Sequence, residues 1–283
     1  MGGALASFAF MAVAAREVSQ FVSTAEIMFF RSVISIPIVV AVAYFSSEGL
    51  GQLITQRLGL QITRNLAHFV GQFGWFFAIA LIPLAEVFAL EFTTPIWVAL
   101  LAPLLLGERM TLMRIMAALI GFVGVLVIVR PGAVPLSDGS LAMLIGAMGF
   151  ALSVLATKRL TRTDSPLAIL FYMAVVQAPL GLAAAFIDLP LPEPITAFWL
   201  VVVTLCAWSA HFCMARAFAF ADAVVVAPMD FLRLPLIALV GTVLYSEPFD
   251  LWLLVGGTII MGGNLLNIYS ERKTAKCFKI PDG

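Results

Sequence analysis

Residues 85–108 read AEVFALEFTTPIWVALLAPLLLGE, and residues 224–247 read VVVAPMDFLRLPLIALVGTVLYSE. Each stretch is long and apolar enough to span a bilayer, yet each carries an acid in its interior, Glu91 in the first and Asp230 in the second, 139 positions apart. The same offset pairs Phe92 with Phe231, Glu108 with Glu247, Leu112 with Leu251 and Gly124 with Gly263. An ionisable group inside a membrane span costs roughly 2.5–3.5 kcal/mol on insertion scales. That cost, met twice at equivalent places, points to a duplicated membrane protein with its working parts near the duplicated acids.

Composition agrees. Hydrophobic residues make up 62% of the 283-residue chain and charged residues 11%, against about 45–50% and 25% in soluble proteins. The zero net charge excludes a strongly basic nucleic-acid binder. Cys206 and Cys213 lie within one apolar stretch and Cys277 near the end, which is neither a disulfide framework nor a zinc spacing. No metal or cofactor is expected. HExxH and GxSxG motifs are absent, and His68 and His211 are far apart in sequence, so an enzyme is not expected. The opening MGGALASFAFMAVAA lacks a basic leader and reads as an uncleaved first span. It is short for a span and reaches full length only if the helix continues through Arg16 and Glu17 to about Ser19.

Apolar stretches of helical length lie near 2–19, 24–45, 64–82, 85–106, 111–129, 139–157, 165–187, 196–219, 222–244 and 250–269. They lack period-two alternation and are too long for barrel strands, so the expected fold is all-α with ten transmembrane helices. Five is odd, so a second half repeating the first runs through the bilayer inverted, as in many secondary transporters. The expected division is 1–132 for the first five-helix repeat, 138–271 for the second, inverted repeat, and 272–283 for a basic cytoplasmic tail. The connections at 46–64, 107–114 and 158–164, with the tail, hold eleven Lys and Arg residues, whereas the other side holds Arg16 and Arg130. By the positive-inside rule both termini are cytoplasmic.

Several polar groups within the stretches are candidates for function. Arg31 in the second stretch lies at a depth similar to Glu91, and Tyr172 in the seventh is near its counterpart. Arg233 follows Asp230 by three residues and shares its helix face. These groups read either as gates and a substrate site, or as two structural ion pairs, Arg31–Glu91 and Asp230–Arg233. Glu108 and Glu247, at stretch ends beside Gly107 and Ser246, read as capping or loop residues. The third stretch, HFVGQFGWFFAIAL (68–81), and the eighth, TLCAWSAHFCMARAF (204–218), mix aromatics with hydrogen-bonding groups. From them come His68, Gln72 and Trp75, then Trp208, His211, Phe212 and Arg216. Pro37 and Pro179 occupy nearly equivalent places, as do Pro95 and Pro235, and each removes a backbone hydrogen bond and can bend its helix. Gly121, Gly124, Gly256, Gly257, Gly262 and Gly263 give the fifth and tenth helices smooth surfaces for close packing.

The run from PLAEVFALEFTTPIWVALLAPLLLGERMTL (83–112) to GFVGVLVIVRPG (121–132) resembles the EamA-type repeat of the drug/metabolite transporter superfamily. AEIMFFRSV (25–33), SPLAILFYM (165–173) and ADAVVVAPMDFLRLPLIALVG (221–241) carry the likeness along the chain. Within the superfamily the chain looks most like the YddG-type amino-acid exporters. The resemblance implies a central cavity lined by helices 1, 3, 4, 6, 8 and 9, and export of small metabolites from the cytoplasm across a bacterial inner membrane. A monomer embedded in the lipid bilayer is expected.

On this reading the chain is an alternating-access exporter of amino acids and related amphipathic metabolites. Its pathway runs along Gln72, Trp75, Glu91, Trp208, His211, Phe212, Asp230 and Arg233. The alternative is uptake of a larger metabolite, such as a nucleotide-like cofactor or vitamin, with aromatics stacking on its rings and Arg31 and Arg216 meeting its anionic groups.

Overall fold

The computed structural model describes residues 2–107, 112–130, 137–186, 189, 191–220, 232–248 and 250–278, with the backbone alone at 106, 114, 212, 214–220 and 270–278. The helices are α1 (Gly2–Val18), α2 (Thr24–Phe45), α3 (Leu58–Leu81), α4 (Leu84–Glu91), α5 (Thr94–Leu106), α6 (Leu112–Val129), α7 (Asp138–Leu160), α8 (Pro166–Ala184), α9 (Pro194–Phe220), α10 (Arg233–Tyr245) and α11 (Leu251–Phe278). α4 and α5 together form the fourth span, Leu84–Leu105, one of six segments in the described residues that are long and apolar enough to cross a membrane. α1 runs through Arg16 and Glu17 as anticipated.

α3 shows why hydropathy alone underrates a span. Its buried face carries Gln61, Arg64, Asn65, His68 and Gln72, and its exposed face carries Leu58, Ile62, Leu66, Val70 and Leu81. That is the pattern of a helix whose solvent is lipid and whose polar groups face the protein interior.

The duplication is visible in the helix bounds. α5 and α10 are both 13 residues long, and their ends are offset by the 139 positions read from the sequence, Thr94 to Arg233 and Leu106 to Tyr245. The first residues of α6 and α11, Leu112 and Leu251, obey the same offset. The helix pairings follow a two-fold pattern. α3 packs on α7 and α1 on α9, two pairs that inversion exchanges, while α2–α8 and α6–α11 are pairs that it maps onto themselves.

Two of these seams depend on glycine. A Cβ at Gly74 would lie 2.3 Å from the Ala142 carbonyl oxygen, and one at Gly149 would lie 2.7 Å from that of Ala67, so α3 and α7 touch backbone to backbone. Gly124 and Gly256 do the same for α6 and α11, each Cβ falling 2.7 Å from the other's carbonyl oxygen. Gly121, Gly257 and Gly263 are tight as well, as expected for packing glycines. Gly262 departs from that expectation, with nothing within 4 Å of its Cβ position.

The prolines divide into two kinds. Pro37 and Pro179 lie inside α2 and α8, which run on through them. Pro95 and Pro235 instead stand in the first turns of α5 and α10, where a missing N–H is least costly. The fourth span is therefore interrupted at Phe92–Thr93 rather than merely bent. Pro95 has no N–H for the Glu91 carbonyl, and the Ile96 amide turns to Thr93 O at 2.9 Å. The Phe92 carbonyl released there accepts from Asn264 Nδ2 at 3.1 Å.

Candidate functional site

A cavity of about 440 Å³ lies between the halves. α3 supplies one wall with Arg64, His68, Gln72, Trp75 and Phe76, residues that recur every three or four positions on its polar face. From Arg64 to Trp75 that wall runs roughly 16 Å along the helix axis. α1 contributes Phe8 and Met11, α7 contributes Phe150, Ser153, Val154 and Thr157, and α9 contributes Ala207 and His211. The interrupted fourth span presents Glu91, Phe92, Thr94 and Pro95, and α10 presents Arg233. These are the spans implied by the resemblance. Arg31 of α2 is an addition to them.

Glu91 is held where its span breaks. It accepts from Arg233 Nη2 at 3.1 Å and from Trp75 Nε1 at 2.8 Å, joining the two halves across the cavity. Arg233 in turn faces the rings of Phe8, Phe88 and Phe92, with its guanidinium carbon 4.4, 4.9 and 4.9 Å from their centroids. Ion pairing and cation–π contact together make a buried guanidinium tolerable here.

The expected Arg31–Glu91 pair does not form. Arg31 Nη2 donates to Gln72 Oε1 and, at 3.2 Å, to Gln177 Oε1, while Gln177 Nε2 lies 3.0 Å from His68 Nδ1. A chain of neutral amides thus ties α2, α3 and α8 together. Sequence spacing cannot show this arrangement, because α3 turns Gln72 toward Arg31 while Trp75, almost one turn on, faces Glu91. Asp230, and with it the second expected pair, lies outside the described residues.

Other candidates are distributed as follows. His211 opens onto the cavity with its ring centroid 5.9 Å from that of Phe8. Trp208 is not on the described cavity wall and packs instead against Val39, Ala43 and Leu53. Tyr172 stacks edge-on against Phe171 at 5.5 Å, away from the described lining. The side chains of Phe212 and Arg216 lie outside the described residues. Sequence reasoning missed Arg64, counted only among loop charges, and Thr157, whose Oγ1 accepts from Arg64 Nε at 3.2 Å. The signal for Arg64 was its four-residue spacing to His68 and again to Gln72.

The end of the bundle opposite Arg64 is tied by polar bonds. Arg16 pairs with Glu247 at 3.0 Å and donates to the Ile82 carbonyl at 2.6 Å. Glu247 also accepts from the Leu84 amide at 2.9 Å, capping α4 as a loop residue should. Tyr245 donates to Glu17 at 2.9 Å, and Arg130 pairs with Asp250 at 2.6 Å.

The EamA-like transporter family model matches residues 2–130 and again residues 138–269. The chain belongs to the EamA-like transporter family. It is 32% identical to a riboflavin transporter of Vibrio cholerae over 80% of this chain and 77% of that one. A Rickettsia bellii S-adenosylmethionine uptake transporter is 29% identical over 87% of this chain and 82% of its own length. A pseudopaline exporter of Pseudomonas aeruginosa is 26% identical, covering 91% of both chains. A solved crystal structure, 18% identical and matched over 96% of each chain with a TM-score of 0.61, shares the fold. The protein is thus a multi-pass secondary transporter of the drug/metabolite superfamily.

Proposed function

We propose that this transporter takes up a ring-bearing metabolite of vitamin or nucleotide-like cofactor size, with the Arg64 end of its cavity toward the cytoplasm. The observation that carries the reading is the character of the cavity. Its volume of about 440 Å³ falls in the ~300–1,000 Å³ range of sites for drug-sized ligands. Its walls present the rings of Phe8, Trp75, Phe76, Phe92 and Phe150, which suit a planar heterocycle.

The sequence alone favoured export of zwitterionic amino acids, and two observations count against it. The amino group of a zwitterion needs a carboxylate, but the Glu91 carboxylate is already engaged by Arg233 and Trp75. The relatives named for riboflavin and S-adenosylmethionine carry ring-bearing solutes, which agrees with the alternative reading. The pathway we assign runs through Gln72, Trp75, Glu91, His211 and Arg233.

A ligand panel tests this. Anything binding the folded state raises its unfolding midpoint, so riboflavin or a nucleoside-based compound should raise it and free amino acids should not. A midpoint raised by amino acids alone would return the chain to the exporter reading.

A further inference from the structure

The charge on the cavity wall is unbalanced. Arg31 and Arg64 both line the cavity and are only 5% and 7% exposed. Among the described residues, each bonds to neutral groups alone. Arg31 uses Nη2 on the two glutamine oxygens and lies over the ring of Phe76, 5.8 Å from its centroid. Arg64 uses Nε on Thr157 and Nη1 on Asn65 Oδ1, the latter at 2.6 Å. The buried Arg31 Nε has no acceptor among the described residues. Glu91 is the one carboxylate on the described wall, and Arg233 holds it.

Amide and hydroxyl partners orient a guanidinium without cancelling its charge. Two such groups facing one space repel each other. Their remaining N–H donors form forks suited to an oxyanion. Aromatic surface lies beside both, with Phe76 against Arg31 and Phe150 edge-on to His68 at 5.6 Å, one turn beyond Arg64.

We infer that the transported molecule is itself anionic, a heteroaromatic ring system bearing a phosphate or carboxylate that Arg31 and Arg64 bind. The inference rests on the uptake reading above and narrows it. It disfavours a neutral vitamin and, more strongly, a cationic sulfonium compound.

The test compares riboflavin with flavin mononucleotide, and adenosine with adenosine monophosphate, by titration onto the purified full-length protein. Charge-assisted bonds to two guanidiniums predict that the phosphorylated member of a pair binds about tenfold more tightly. Raised salt should erode that preference, and Arg64→Gln should reduce it to about threefold or less. Should Arg64→Gln not fold, the wild-type comparison and its salt dependence decide alone. Equal or tighter binding of the neutral members overturns the inference. So does riboflavin binding that strengthens on adding inorganic phosphate, because the anion would then be a separate species. Failure of all four compounds to bind overturns the uptake reading itself, and this inference with it.

Discussion

Glu91→Gln keeps the shape of the side chain and removes its charge, which isolates what the inter-half ion pair contributes. Arg233, with its side chain 4% exposed, loses its contact with the Glu91 carboxylate, while Trp75 Nε1 keeps an amide oxygen to donate to. Removing one member of a buried pair costs about 3–5 kcal/mol. Glu91 is 20% exposed to the cavity, and the rings around Arg233 retain part of its stabilisation, so the lower end applies, about 3 kcal/mol. At about 2–4 °C per kcal/mol the unfolding midpoint should fall by roughly 6–12 °C. Thermal unfolding of the purified protein in one detergent, for Glu91→Gln, Arg233→Gln and the double variant, reads this directly. The double variant removes both members of this pair and should recover at least half of the loss incurred by Glu91→Gln. A midpoint within about 1 °C of wild type for Glu91→Gln, or strict additivity in the double variant, would refute the reasoning.

Other expectations follow from the packing and the loops. Gly74→Ala should lower the midpoint by the equivalent of about 1–3 kcal/mol, because its Cβ overlaps the Ala142 carbonyl oxygen. Gly262→Ala, in open space, should be neutral or stabilising by up to about 1 kcal/mol, through helix propensity. Trp208→Ala should lower stability by about 2 kcal/mol, less than for a fully buried tryptophan, while transport per folded molecule stays unchanged. Retained stability with altered substrate preference would restore Trp208 to the pathway. In the connection between α7 and α8, burial pushes the Asp164 carboxyl up, but hydrogen bonds from Thr55, Gln61 and Thr163 and the charge of Arg57 outweigh it and hold it below the usual carboxylate range. A depressed folded-state value gives stability that is present above the unfolded value of about 4 and lost as pH falls below it. Asp164→Asn should therefore be less stable than wild type near neutrality and show a shallower loss on acidification, followed by thermal melting across that window.

The architecture was legible because the bilayer imposes it. Spans must be long, apolar and helical, and the offset between Glu91 and Asp230 reappears in the ends of α5 and α10. The interruption of the fourth span was signalled by Thr93-Thr94-Pro95, although the sequence reading took Pro95 for a bend within one helix. The pairing of charges was not legible. Depth along each span placed Arg31 level with Glu91, but rotation about the helix axis decides which side chains meet, and Gln72 reaches Arg31 first. Arg64 was hidden by the positive-inside rule, which counts it with the loop charges, whereas its contacts belong to the polar face of α3. Trp208 carried a real signal, an aromatic within a polar-studded span, but such aromatics pack against neighbours as readily as they line a cavity.

Counterflow into vesicles reconstituted with the purified protein tests the central claim most directly. Vesicles loaded with unlabelled flavin or nucleotide should accumulate the labelled compound transiently, and Ser153→Trp, which fills the cavity from α7, should abolish that accumulation per folded molecule. Counterflow of amino acids but of no ring-bearing compound, or undiminished flux through Ser153→Trp, would contradict the account.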